Sequence, residues 1–231
     1  MSYIDTGQGA PLVLLHAGMS NNVDSWGQQL RPLSETNRVI APDTRGQGRT
    51  TDGGGQLSYE MFGDDFTALL SQLSINRAVF AGISDGAAVA LDLSVRRPDL
   101  VQGLVLISAP FDVQYSPETL AMMNQLQPQP TDPGAGNYPS FEQYSDFYHR
   151  LVDLWKRKPP TTREQAANIR VPTLILHGDH DEEVPVEEAQ ELAATIPGAE
   201  FHLVPNSSHN VTGDQPDAVT SAIKSFIQFN K

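Results

Sequence analysis

The pentapeptide Gly82-Ile83-Ser84-Asp85-Gly86 follows the apolar run Ala78-Val79-Phe80-Ala81 and leads into Ala87-Ala88-Val89, so it stands between an expected strand and an expected helix. A G-x-S-x-G sequence in that context is a nucleophile elbow: the turn is tight, and only small residues fit two places before and two places after the serine. Ser84 would project from the strand's C-terminal end with its hydroxyl exposed, at the positive end of the following helix. The chemistry this suits is attack on a carbonyl carbon. A serine hydroxyl is too weak an acid to do this unaided, so a histidine must take its proton and an acid must hold that histidine's tautomer.

For an elbow serine the order along the chain is nucleophile, acid, histidine. Of the six histidines, His16 and His177 end strands, His149 lies in a proline-rich stretch, His202 is inside a strand and His180 sits among the candidate acids. His209 follows the run 200–204 in the short polar loop Pro205-Asn206-Ser207-Ser208, before the last helical stretch, and is the general base of choice. The acid is expected in Gly178-Asp179-His180-Asp181-Glu182-Glu183, just beyond the run 173–177. Spacing alone leaves Asp179 and Asp181 both open. The same stretch lacks the helical H-E-x-x-H spacing of a zinc site, so no metal is assigned. The developing oxyanion calls for backbone N–H donors. One is Asp85, directly after the serine, and the other comes from His16-Ala17-Gly18-Met19, with Gly18 and Met19 as candidates. The Asp85 side chain has two readings: a first-turn carboxylate favoured by the helix dipole, or a pocket group that pairs with a cationic part of a substrate.

The elements that must carry these residues alternate. Short Val/Ile/Leu-rich runs at 11–16, 38–41, 78–81, 101–108, 173–177 and 200–204 are separated by amphipathic stretches at 23–33, 58–73, 87–97, 186–196 and 214–229. That pattern predicts strand–helix–strand units around a buried parallel sheet. Residues 111–169, rich in proline and with Gly134 and Gly136 between two amphipathic pieces, break the alternation. They are expected as a cap inserted into a core of residues 1–110 and 170–231, lying over the strand ends where open α/β sheets bind ligands. Tyr148 and Trp155 of this insertion, with Met19 and Asp85, are candidate pocket residues.

The chain of 231 residues is 39% hydrophobic and 19% charged, suited to one globular domain. The absence of cysteine excludes disulfides and a thiol nucleophile. No apolar run approaches a bilayer's span, and the N-terminus lacks the pattern of a leader, so a soluble, cytoplasmic protein is expected. The formal charge of −13, from 28 acidic and 15 basic residues, disfavours nucleic acid and anionic membrane and suits a small neutral or cationic substrate.

Together these residues resemble the α/β-hydrolase superfamily over residues 4–229. Leu14-Leu15-His16-Ala17-Gly18 up to Trp26 is similar to its oxyanion segment, and Ala41-Pro42-Asp43-Thr44-Arg45-Gly46-Gln47-Gly48 to one of its turns. Gly178-x-x-Asp181-x-x-Val184-Pro185 and Ser207-Ser208-His209 are similar to its acid and histidine loops. The resemblance implies a mostly parallel sheet flanked by helices with a small helical cap, and it selects Asp181 over Asp179. It implies a cofactor-free carboxylic-ester hydrolase working through an acyl-enzyme. A lactone or C–C bond hydrolase, or a hydrolase-like receptor with little turnover, are the alternatives. Serine in place of aspartate at the elbow argues against dehalogenase and epoxide hydrolase chemistry. The Ser84-Asp85-Gly86 form, the stretch 141–155 and Ile169-Arg170-Val171-Pro172 resemble the branch that contains valacyclovirase, also called biphenyl hydrolase-like protein. Three departures stand out. Ala17 replaces a glycine, so the donor is Gly18 or Met19; Gln47 replaces a frequent histidine, a matter of packing; and the first antiparallel strand is expected to be missing.

Overall fold

In the computed structural model, residues 1–112, 116–132, 134–157 and 159–230 are described. Among these described residues seven strands form one sheet: β1 (Tyr3–Thr6), β2 (Ala10–Leu15), β3 (Asn37–Pro42), β4 (Ala78–Ile83), β5 (Val101–Ile107), β6 (Thr173–Gly178) and β7 (Glu200–Val204). Their order is β1-β3-β2-β4-β5-β6-β7. Every pairing from β3 to β7 is parallel, which is why β4 and β6 read as continuous apolar runs buried on both faces. The antiparallel strand expected to be missing is present. β1 pairs with β3 from Tyr3 opposite Pro42 to Thr6 opposite Val39. It is four residues long and none of its residues is buried, so it carries little of the apolar signal by which a strand is recognised.

Helices α1 (Asn22–Ser34), α2 (Tyr59–Gln72), α3 (Asp85–Arg96), α4 (Pro117–Gln125), α5 (Phe141–Trp155), α6 (Arg163–Ala166), α7 (Val186–Thr195), α8 (Val211–Asp214) and α9 (Pro216–Phe229) connect the strands. The final helix expected over 214–229 is α9, and the short α8 before it is separate because Pro216 opens α9 and has no N–H with which to continue α8. Alternation along the strands sorts the core into two. Val13, Leu15, Phe80, Leu104 and Ile175 face α2, α3 and α7, and Phe147, Leu151 and Leu154 of α5 join that cluster. Leu12, Leu14, Val79, Val105 and Leu174 face the other way, onto Trp26 and Leu33 of α1 and Val219, Ile223 and Phe226 of α9.

In residues 111–169, Ala166 and Ile169 belong to the first cluster, whereas α4 buries none of its residues. Residues 113–115, 133 and 158 of this stretch lie outside the described ones. Among the described residues no helix is long and apolar enough to cross a membrane.

Candidate active site

Loops at the C-terminal ends of β2, β4, β6 and β7 converge on one cavity, and strained backbone marks the same end of the sheet. Met19 after β2, Ser84 after β4, Ser108 after β5 and Asn206 after β7 all have positive φ between 47° and 54°. Each such residue holds about 1–3 kcal/mol of strain that the surroundings must overcome. At Ser84, with φ 54° and ψ −118°, they do so closely. Its N–H donates to Ile107 O at 2.9 Å, and its carbonyl accepts from the N–H groups of Ala87 and Ala88 at 2.9 and 3.0 Å. The flanking glycines are obligatory on contact grounds. A Cβ on Gly82 would lie 2.3 Å from Gly86 O, and one on Gly86 would lie 2.3 Å from Leu15 O. Helix α3 therefore starts hard against β2 and β4, and the half-buried serine stands at its head.

Asp181 and His209 meet across the loops after β6 and β7. His209 Nδ1 lies 3.0 and 2.9 Å from the two carboxylate oxygens of Asp181. Asp181 Oδ1 also accepts the N–H groups of Glu183 and Val184, at 2.9 and 3.0 Å. Burial alone would raise this carboxyl, but the His209 bond and the two backbone donors outweigh it and hold it at about 2. Burial likewise opposes a charged His209, yet Asp181, Glu183 and Asp85 raise it above its ordinary value. Ser108 Oγ donates to His209 O at 3.1 Å and ties the histidine loop to the end of β5. Asp179 serves elsewhere: its Oδ1 accepts the Ser207 N–H at 3.0 Å and faces His180, not His209.

The loop after β2 is pinned by His16. Its Nε2 accepts the Thr44 N–H at 2.8 Å while Nδ1 faces Ala17 O at 2.7 Å, so the hydrogen is on Nδ1 and burial keeps the ring neutral. Gln47, expected to matter for packing, also accepts the Ser20 N–H at 3.4 Å. The N–H groups of Gly18, Met19 and Asp85 donate to no group among the described residues, which leaves them available to a further acceptor. Gly18 lines the cavity; Met19 lines a small neighbouring crevice with Gly46 and Phe147.

The Asp85 carboxylate lies in the first turn of α3 and also on the cavity wall, with both of its oxygens already engaged. It is 6% exposed, with Oδ1 accepting from Tyr59 Oη and Oδ2 from Trp155 Nε1, both at 2.8 Å. Burial raises its pKa, against the pull of these two donors. A Cβ on Gly18 would lie 2.3 Å from that Oδ2 and 2.7 Å from Trp155 Cζ2, so the glycine lets the oxyanion loop rest on the pair. One carboxylate thus joins the elbow, α2, the end of α5 and the oxyanion loop.

The cavity, of about 540 Å³, is lined by Ser84 and His209, with Asp24, Asp85, Glu182 and Glu183 on its polar side. Met123 and Leu126, from α4 and its C-terminal cap, face it with Trp155 from the apolar side. Among the described residues of the wall Arg157 is the one Lys or Arg, and its guanidinium is taken up by the carbonyls of Asp153 and Leu57. Tyr148 packs on Tyr144 and His149, and neither it nor the Met19 side chain reaches this cavity. A larger groove of about 800 Å³, between residues 48–54 and residues 137–150, holds none of the three triad candidates. Tyr59, Glu183, Met123 and Leu126 were not singled out in the sequence. Of these only Glu183 carried a signal, as an acid two places after Asp181.

A family model described as alpha/beta hydrolase family matches residues 12–222. The chain is 29% identical to a non-heme haloperoxidase of Rhodococcus erythropolis, over 98% of this chain and 95% of that protein. It is 26% identical to a putative carbamate hydrolase of Agrobacterium fabrum, over 94% and 93%. Among solved structures it superposes on Est816, described as an N-acyl homoserine lactone degrading enzyme, with a TM-score of 0.83 and 26% identity, over 97% of this chain and 96% of that one.

Proposed function

The chain belongs to the alpha/beta hydrolase family, and from that premise we propose that it cleaves the carboxylic ester of a small neutral or cationic molecule. In this reading Ser84 is the nucleophile, His209 the general base and acid, and Asp181 the group that orients His209. The observation that carries it is the bond from His209 Nδ1 to both oxygens of the buried Asp181. It fixes the tautomer and leaves Nε2 for the proton of a serine that lines the same cavity.

Ser84 Oγ attacks the carbonyl carbon as its proton passes to His209 Nε2. The oxyanion forms beside the N–H groups of Asp85 and Gly18, which donate to no group among the described residues. Collapse of the tetrahedral intermediate expels the alcohol, which takes the proton from His209, and leaves Ser84 acylated. Water then attacks the acyl carbon while giving a proton to His209; the proton returns to Ser84 Oγ, and a carboxylic acid departs. Residues 111–169 act as a cap over this site.

The preference for neutral or cationic substrates rests on charge. Asp24, Asp85, Glu182 and Glu183 line the cavity, while the guanidinium of Arg157 is occupied by backbone carbonyls. An anionic ester would enter against like charge, and the anionic product would be driven out by it. The relatives at 26–29% identity are named as a haloperoxidase and a carbamate hydrolase, so this function is not tied to the valacyclovirase branch. Both Asp85 oxygens already accept hydrogen bonds, which assigns the cation preference to the more exposed acids of the wall.

Lactone hydrolysis is the second reading, favoured by the likeness to Est816, and uses the same steps with the alcohol retained in the product. Labelling with a fluorophosphonate, mapped by mass spectrometry, followed by turnover of chromogenic esters and of a homoserine lactone, tests both. Label on Ser84 with multiple turnovers of an ester supports the proposal. Turnover of the lactone alone supports the second reading, and binding without turnover leaves a receptor.

A further inference from the structure

A second histidine stands on the other side of the acid. His177, next to last in β6, is wholly buried, with Nε2 3.0 Å from Val184 O and 3.5 Å from Asp181 Oδ2. A carbonyl only accepts, so the ring hydrogen is on Nε2. The Nδ1 atom is buried without a hydrogen-bond partner among the described residues. A second proton there would place both a positive charge and an unsatisfied donor in the interior, so the ring stays neutral. Burial acts in the same direction on its pKa. Val184 is thereby held at both ends of its peptide units: its N–H donates to Asp181 Oδ1 at 3.0 Å and its carbonyl accepts from His177.

We propose that His177 is a positioning residue of the triad, a neutral donor that fixes the turn 181–184 so that both oxygens of Asp181 face His209 Nδ1. The inference rests on the triad proposed above. Neutrality is the property that matters. A lysine or arginine at this place would pair with Asp181 and take up the negative charge that an imidazolium at His209 needs. An apolar residue would leave the Val184 carbonyl without this donor and the turn held from one side. The charged or titratable groups around His177 are Asp181, His209 and Glu187, and those around His209 are Asp181, Glu183 and Asp85.

The test compares His177→Leu, His177→Gln and His177→Asn in the full chain, with p-nitrophenyl acetate as substrate and thermal unfolding as control. Glutamine carries its amide nitrogen close to the place of Nε2, and asparagine close to that of Nδ1. The leucine variant is expected to lose about 10-fold or more in kcat with little change in KM, as when a group that orients a reactive one is removed. Its acid limb should move to lower pH as His209 loses part of the influence of Asp181. Glutamine should recover most of kcat and the limb, and asparagine should not. If leucine fails to fold, the glutamine and asparagine pair decides. Wild-type kcat and acid limb in the leucine variant, or glutamine no better than asparagine, overturns the proposal. A wild-type protein that turns over no ester, or one indifferent to Asp181→Asn, instead overturns the triad on which it rests.

Discussion

Trp155→Phe isolates the bond between the end of α5 and the carboxylate beside the nucleophile. The change keeps an aromatic ring on the cavity wall and removes the N–H that reaches Asp85 Oδ2 at 2.8 Å. A hydrogen bond to a charged group contributes about 1.5–3 kcal/mol, and a neutral one about 0.5–1.5 kcal/mol. Trp155→Phe also removes packing, so the single variant cannot be read alone. Asp85→Asn supplies the second leg of a cycle. Asparagine can turn its oxygen to Trp155 Nε1 and its amide to Tyr59 Oη, which accepts as well as donates, so both contacts survive without the charge.

In the Asn background the loss of the indole N–H removes only a neutral bond, while the packing loss is common to both legs and cancels. The expected coupling is therefore about 1 kcal/mol or slightly more. For a domain of this size that is about 2–4 °C in the difference between the two Tm drops. Urea and thermal unfolding at pH 7 measure it, and a Tm drop of the same size in both backgrounds refutes the charge-assisted bond. Acid titration supplies a sign. Burial raises the Asp85 carboxyl above its unfolded value, so the folded state binds this proton more readily. The wild type carries a penalty above the folded pKa that is relieved as pH falls toward the unfolded value of 3.8, and Asp85→Asn lacks that relief.

Ser84→Ala and His209→Ala should each lower kcat on a chromogenic ester by on the order of 10⁶-fold, because triad members act as a unit; circular dichroism should show the fold retained. Asp181→Asn should lose about 10⁴-fold through the wrong histidine tautomer, whereas Asp179→Asn, whose carboxylate serves the Ser207 N–H, should lose far less; the reverse ranking in kcat would sink the acid assignment. Asp181 is held at about 2 against an ordinary 3.8, so its contribution to stability is present above 3.8 and is lost as pH falls toward 2. Its size is roughly 2 kcal/mol, and it should be missing from acid unfolding of Asp181→Asn. Glu183 Oε2 lies 3.8 Å from His209 Nε2 and raises the histidine's pKa, so Glu183→Gln should move the acid limb of kcat/KM to lower pH; an unmoved limb would show that solvent screens the pair.

The residues legible in the sequence are those whose identity is demanded by their own turn. Gly82 and Gly86 are required because neighbouring backbone lies 2.3 Å from any Cβ there, and such a demand is written within five residues. His209 was legible for a related reason, since one histidine alone opens the loop between the last strand and the last helix. Asp181 was not separable from Asp179 by spacing: both face the loop after β7, Asp179 at the Ser207 N–H and Asp181 at His209, and which residue each meets is set by the pairing of β6 with β7. β1 was missed because four residues without a buried side chain carry little apolar signal, although each of them pairs with a residue of β3.

The cavity wall was the least legible part, for a reason visible at Asp85. Its partners Tyr59 and Trp155 are 26 and 70 residues away, and nothing local marks either as a donor to a buried carboxylate. Local preference even points the wrong way, because an acid in the first turn of α3 is satisfied by the helix dipole alone. The strained positions at Met19, Ser84, Ser108 and Asn206 belong to the same class. Each breaks a local rule, and Ser84 and Ser108 are held by the backbone of a neighbouring strand, at Ile107 O and Leu176 O, which is where reasoning from neighbours along the chain should fail. His177 follows from this logic. In the sequence it is one more apolar-strand histidine, and its meaning comes from Val184 and Asp181, which reach it only when the turn after β6 folds back over the strand that bears it.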